Sequence, residues 1–167
     1  MPTDNPQELF YHVNDQDQVI DSVTRGEAHS NPEIFHRSVF VLVFNQAGEL
    51  LLQKRSASKD RFPEFWTVSA SGHVNYGQSY DEAAARELEE ELGLSLVLKP
   101  EQKIFEPEES EFSWIYSAEL ADNQPINFDP TEISAVRFVA PSELRQFQQN
   151  HPLTPGALAV LQALDFL

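Results

Sequence analysis

A chain of 167 residues with a formal net charge of −16 and no cysteine excludes several classes of protein before any motif is read. It can form no disulfide, thiolate metal site or cysteine nucleophile, and its overall field repels polyanions, so nucleic acid is not an expected partner. A hydrophobic content of 41% with 12 Phe suits one globular domain over 1–167, with 1–30 expected as an N-terminal hairpin extension and 141–167 as C-terminal helices.

The opening MPTDNPQELFYH has neither a basic segment nor an apolar one, so it does not read as a signal peptide. No apolar run approaches the ~18 residues that would span a bilayer. A cytoplasmic protein without membrane contact is the expectation.

In chain order, residues 9–13 and 17–23 flank the turn-type cluster NDQD and predict a hairpin. HRSVFVLVFN (36–45) is β-branched and aromatic, the composition of a buried strand. QAG turns into ELLLQKRS (49–56), its expected antiparallel partner, and DRFPEFWTVSA (60–70) enters another strand through a proline. Residues 80–92 have helix-forming composition, with Gly93 where a glycine ends a helix. Short strands are expected at 94–99, 103–106, 111–119 and 133–139. PSELRQFQQ (141–149) and TPGALAVLQALDFL (154–167) predict two closing helices. This order predicts an α/β protein with a mixed sheet and helices on its faces.

The predicted helix 80–92 carries an unusual load. Glu87, Glu90 and Glu91 are three or four residues apart and share a face, while Ala84, Leu88 and Leu92 form a separate apolar stripe. Gathering like charges costs stability, and a hard divalent cation with a substrate phosphate would offset that cost. A solvated surface helix is the plainer alternative for the charges alone. Spacing decides against it, because Gly72, Arg86, Glu87, Leu88, Glu90, Glu91, Gly93 and Leu94 fall in the register of the Nudix box.

The chain therefore resembles the Nudix hydrolases. One position departs from the box, Gln78 standing where that family has its first glutamate. The resemblance implies a Nudix-type α/β/α sandwich with a mixed central sheet and a loop-helix-loop metal site. It implies Mg²⁺ or Mn²⁺ held by Glu87, Glu90 and Glu91, and attack of water on a small organic diphosphate. Arg86 is expected to orient Glu90 and the Gly72 loop.

A second set is mixed in donor type. His29, His36, His73, Glu109 and Glu111 could together make a nitrogen and oxygen site for Mn²⁺, Zn²⁺ or Mg²⁺. Glu109 and Glu111, two apart on one strand, would point the same way. These positions resemble the metal site of the type I isopentenyl-diphosphate isomerases, which are built on the Nudix fold. That resemblance implies a second, transition-metal site and diphosphate binding by Arg25, Arg55 and Lys59. Ser71, before Gly72, stands where the isomerases have a catalytic cysteine, and is read as a small residue lining the pocket. Phe105 is the nearest counterpart of their active-site tyrosine. The isomerases usually have a degenerate Nudix box, whereas this chain keeps its glutamates. Hydrolysis of a small diphosphate, such as a nucleoside diphosphate derivative, is thus the leading expectation. An isomerase-like enzyme or a non-catalytic diphosphate-binding module stand as alternatives, and a symmetric homodimer is a reasonable assembly.

Overall fold

Strand β3 (His36–Phe44) is the axis of the computed structural model, which describes residues 5–167. Residues 1–4, the start of the expected N-terminal extension, lie outside the described residues. Along one edge β3 runs parallel to β8 (Glu111–Glu119), from His36↔Glu111 to Phe44↔Glu119. Along the other edge its first half pairs antiparallel with β6 (Ala70–His73), and Phe44 meets β4 (Leu50–Arg55) through the Asn45–Glu49 turn. Beyond β8 lies β7 (Lys99–Glu106), and β4 carries both β5 (Trp66–Thr67) and β9 (Ile133–Val139). The result is a seven-stranded sheet, mixed as predicted.

Strand alternation sends the two rows of β3 into different cores. Val39, Val41 and Val43 meet Ala83, Ala84, Leu88 and Leu92 of α2 (Tyr80–Leu92). Phe40 and Leu42 meet Leu144 and Phe147 of α3 (Leu144–Asn150) and Ala157, Val160 and Leu161 of α4 (Pro155–Ala163). Helices thus cover both faces, giving the α/β/α sandwich. Trp66 is buried in the second core and Trp114 packs against the first. Helix α2 begins at a Ser79–Glu82 capping box and ends at left-handed Gly93, whose N–H bonds to Glu89 O.

Several boundaries differ from the sequence reading. The strand expected at 60–70 is two short ones, because Ser69 interrupts it: its hydroxyl donates to Leu51 O (2.6 Å) and accepts from Val43 N–H (2.8 Å). Residues 94–98 form no strand, and the strand expected at 103–106 starts earlier, at Lys99, as the longer β7. The helix at 141–149 opens as a 3-10 turn, and α4 stops at Ala163. The hairpin β1 (Leu9–Val13) and β2 (Val19–Thr24) forms as expected, but it leads into an unforeseen helix, α1 (Arg25–Ser30). Its sequence signal was the Thr24–Glu27 capping box. No helix among the described residues is long and apolar enough to cross a membrane.

The hairpin is pinned to the sandwich by one carboxylate. Asp17, only 4% exposed in its side chain, accepts from Arg37 Nε (2.7 Å), Tyr80 Oη (2.8 Å) and Lys103 Nζ (2.9 Å). Arg37 also lies 5.1 Å from the ring centres of both Tyr11 and Tyr80. Removing one member of a buried ionic cluster strands the others. We expect Asp17→Ala to cost about 3 kcal/mol, and so to lower Tm by roughly 6–12 °C for a chain of this size, as read by thermal denaturation.

Candidate active site and metal centre

The site forms where the sheet face above α3 and α4 turns polar. On β3 the row Phe40–Leu42 is preceded by Ser38 and His36, and on β8 Ile115 is preceded by Ser113 and Glu111. On β6, Ser71 sits opposite Phe40 and His73 opposite Ser38. Neighbouring strands change from apolar to polar at one level, and the register stacks the changes side by side. The resulting cavity, about 530 Å³, is lined by Arg25, Ser71, His73, Glu87, Glu91 and Glu111 among others.

On its other side β6 faces α2. A Cβ at Gly72 would collide with the Glu87 carboxylate, so only glycine lets the helix approach this closely. Glu91 accepts from Ser71 N–H (2.8 Å) and from Gln53 Nε2 (3.1 Å). Arg86 Nη2 donates to Glu87 Oε1 (2.7 Å) and to the His73 carbonyl (2.8 Å). Arg86 therefore ties the loop to Glu87, not to Glu90 as its four-residue spacing suggested. Glu90 is exposed and lines the same cavity. Burial pushes the Glu87 and Glu91 carboxyls well above the usual range, and repulsion from Glu91 adds to the rise at Glu87.

The histidine set converges as predicted in four of its five members. One donor atom from each of His29, His36, His73 and Glu111 lies within 4.8 Å of every other. Glu111 Oε1 is 2.8 Å from His73 Nε2 and 3.0 Å from His36 Nε2, and the His29 and His73 Nε2 atoms are 3.3 Å apart. Burial, aided by the charges of His73, Arg25 and His36, holds His29 down to about 4, so its ring is neutral near pH 7. Burial alone would raise Glu111, but His73 and His36 carry it well below the usual range. Three imidazoles and one carboxylate suit a transition ion, so the donor set fits the expected second metal.

Glu109 does not join them. It lies in the turn between β7 and β8, not on the strand, and Arg61 grips it with two bonds (2.7 and 2.9 Å). Of the expected diphosphate-binding cations, Arg25 is 3.3 Å from His73 Nδ1, Lys59 bonds to Glu132 (2.6 Å) and Arg55 donates to Arg61 O (3.0 Å). All three line the cavity with Gly72 and Ser71. Phe105 is exposed, packs on Phe35 and Phe112, and does not line the cavity.

Sequence reasoning missed three residues of the site. Phe10 of β1 is fully buried and stacks on His73 with centroids 4.6 Å apart. Gln53 holds Glu91, and Glu106, at the end of β7, is a buried acid on the cavity wall. Burial, then repulsion from Glu111, raises Glu106 to about 7. Only Glu106 left a trace in the sequence, as the first acid of the run EPEESE.

A helix whose carboxylates close on a glycine turn, set on a mixed sheet between two helical layers, is the arrangement of an enzyme that works on phosphoric anhydrides. The chain belongs to the Nudix hydrolase family: the NUDIX domain model matches residues 34–164. It is 35% identical to an uncharacterized Nudix hydrolase, PA4841, of Pseudomonas aeruginosa over 156 residues, which are 93% of this chain and 92% of that one. It is 34% identical over 164 residues to an isopentenyl-diphosphate Delta-isomerase of Nocardia farcinica, covering 92% of each. Among solved structures it resembles DR0079 of Deinococcus radiodurans, with a TM-score of 0.79 and 26% identity over 93% of this chain and 98% of that one.

Two predictions follow from the loop and its acids. Arg86 Nε is buried without a partner, while Gln78 Oε1 faces Asn75 N–H at 3.4 Å. A carboxylate at 78, the residue type the Nudix box has there, would give the Asn75 N–H a charged acceptor, so Gln78→Glu is expected to gain about 1–2 kcal/mol, or roughly 2–8 °C in Tm. Glu91 binds its proton more tightly folded than unfolded, so its stabilising contribution is present below its ordinary value of 4.5 and lost as pH rises through the raised folded value. With chelator present, Glu91→Gln should therefore melt higher than the wild type at pH 8, and the gap should close toward pH 4.5.

Proposed function

We propose that residues 1–167 act as one unit, a divalent-metal-dependent hydrolase of a small organic diphosphate. The observation that carries this reading is the pair of half-buried acids, Glu87 packed against Gly72 and Glu91 held by the Ser71 N–H. Two neighbouring carboxyls in low dielectric disfavour each other's charge, and a divalent cation removes that penalty. Glu87, Glu90 and Glu91 would hold Mg²⁺ or Mn²⁺, which supplies neutralisation of phosphate charge and a more acidic water. Arg86 fixes Glu87, and the Ser71 N–H and Gln53 fix Glu91. Arg25, Arg55 and Lys59 receive the diphosphate. Water adds to phosphorus and gives its proton to a carboxylate of the site, the anhydride P–O bond breaks, and the departing phosphate keeps the bond's electrons.

His29, His36, His73 and Glu111 would hold a second ion in the same cavity. This set, with the isomerase among the relatives, favours an isomerase-like chemistry as the second reading. Ser71 counts against it, because a hydroxyl is a far weaker acid than the thiol in its place. The cysteine-free composition supports a cytoplasmic setting, and light scattering tests the expected symmetric homodimer.

Phosphorus NMR with Mg²⁺ decides between the readings. New phosphate signals from a nucleoside diphosphate derivative should appear for the wild type and fall at least 100-fold in rate for Glu91→Gln. Deuterium uptake from heavy water into isopentenyl diphosphate, with no phosphate released from any compound, would instead establish the isomerase.

A further inference from the structure

Behind the metal-binding groups the cavity runs on toward the start of α4, and its wall there remains polar. Glu106, 6% exposed, accepts from Ser113 Oγ (3.0 Å) through Oε1, and Ser113 is itself bonded to Ser38. Its other oxygen, Oε2, has no hydrogen-bond partner among the described residues. Residue 156 faces this oxygen. A Cβ there would come within 3.6 Å of Oε2 and 3.0 Å of the Phe40 ring, so glycine keeps open the space before the carboxylate. Glu106, Ser38, Thr154 and Gly156 all line the cavity.

Oε2 itself is open to solvent from the cavity, and an unpaired carboxylate oxygen is costly to leave dry once a ligand displaces that water. A hydrocarbon chain laid against it would expel water and return no hydrogen bond. A hydroxyl or amino group would replace the lost water. A site built around a polar group also rejects analogues that lack it more sharply than an oily pocket rejects a change of size.

We propose that Glu106 selects the organic portion of the substrate, accepting a hydrogen bond at Oε2 from its hydroxyl or amino group. The substrate is then a diphosphate of a polar group, sugar- or nucleoside-bearing, and not of a prenyl chain. This rests on the diphosphate-hydrolase reading and narrows it. Glu106 acts by recognition, so its loss should appear in KM more than in kcat.

The test compares wild type, Glu106→Gln and Glu106→Leu against ADP-ribose, UDP-glucose and isopentenyl diphosphate, with Mg²⁺ and with Mn²⁺. Wild type is expected to favour at least one polar compound over isopentenyl diphosphate by 100-fold or more in kcat/KM. Glu106→Leu should raise KM for that compound at least tenfold with kcat within threefold, and should not weaken isopentenyl diphosphate. Glu106→Gln, which keeps an acceptor oxygen, should stay within threefold of wild type in KM. A wild type that prefers isopentenyl diphosphate, or a Glu106→Leu variant whose KM moves less than twofold, overturns the proposal. If wild type turns over none of the three, the hydrolase reading fails for these compounds and calorimetric binding decides the role of Glu106 separately. Weakening of ADP-ribose or UDP-glucose at least tenfold in Glu106→Leu, with isopentenyl diphosphate unchanged, upholds the role; equal affinities or no binding overturn it. A melting curve for each variant separates loss of recognition from loss of fold.

Discussion

The pairing of β3 in opposite senses along its two edges is the constraint on which the site depends. Its parallel register with β8 sets His36 beside Glu111, and its antiparallel register with β6 sets Ser38 beside His73. A slip of one residue on either edge would turn the acid or the imidazole to the opposite face of the sheet. The apolar rows hold that register fixed, because Phe40 and Leu42 on one face and Val39, Val41 and Val43 on the other are almost fully buried. Packing in the two cores therefore fixes the chemistry, although no core residue need touch substrate.

Electrostatics then works against the bulk of the molecule. A chain of net charge −16 nonetheless gathers cations along its cavity, each held in place by a neighbour. Lys59 leans on Glu132, Arg61 on Glu109 and Arg25 on His73, with Glu8 3.6 Å from Arg25. These pairs are partly exposed and each contributes little to stability. Their effect is positional: a long side chain already ordered loses less freedom when a phosphate arrives. A ligand reaching Lys59 or Arg61 would have to compete with the carboxylate each already holds.

The sequence carried the acids of α2 legibly because helical spacing and Gly72 and Gly93 are local signals, and the structure places Glu87 and Glu91 where that spacing put them. The three histidines and Glu111 were readable only through resemblance, because they come from α1, β3, β6 and β8, and nothing local links them. The errors share one cause. Arg86 was assigned to Glu90 by helical spacing, and Glu109 was paired with Glu111 by strand spacing, yet tertiary partners decided both. The His73 carbonyl drew Arg86 toward Glu87, and Arg61, 48 residues before Glu109, drew that acid outward. Glu106, Gln53 and Phe10 make their contacts with residues on other elements, Ser113, Glu91 and His73, which periodicity cannot show.

Residues 71–73 join the two halves of the site more tightly than either half alone requires. The Ser71 N–H holds Glu91, Gly72 gives room to Glu87, and the His73 side chain meets Glu111 while its carbonyl takes Arg86. The α2 carboxylates and the histidine cluster are thus attached to successive residues of one strand, and neither can shift without the other. Two ions held from opposite sides of this strand would therefore be coupled through the backbone, each stiffening the loop that positions the other. On the hydrolase reading this strand would set where phosphate and metal sit, while Ser71 and Glu106, outside both donor sets, would be left to set which group is carried.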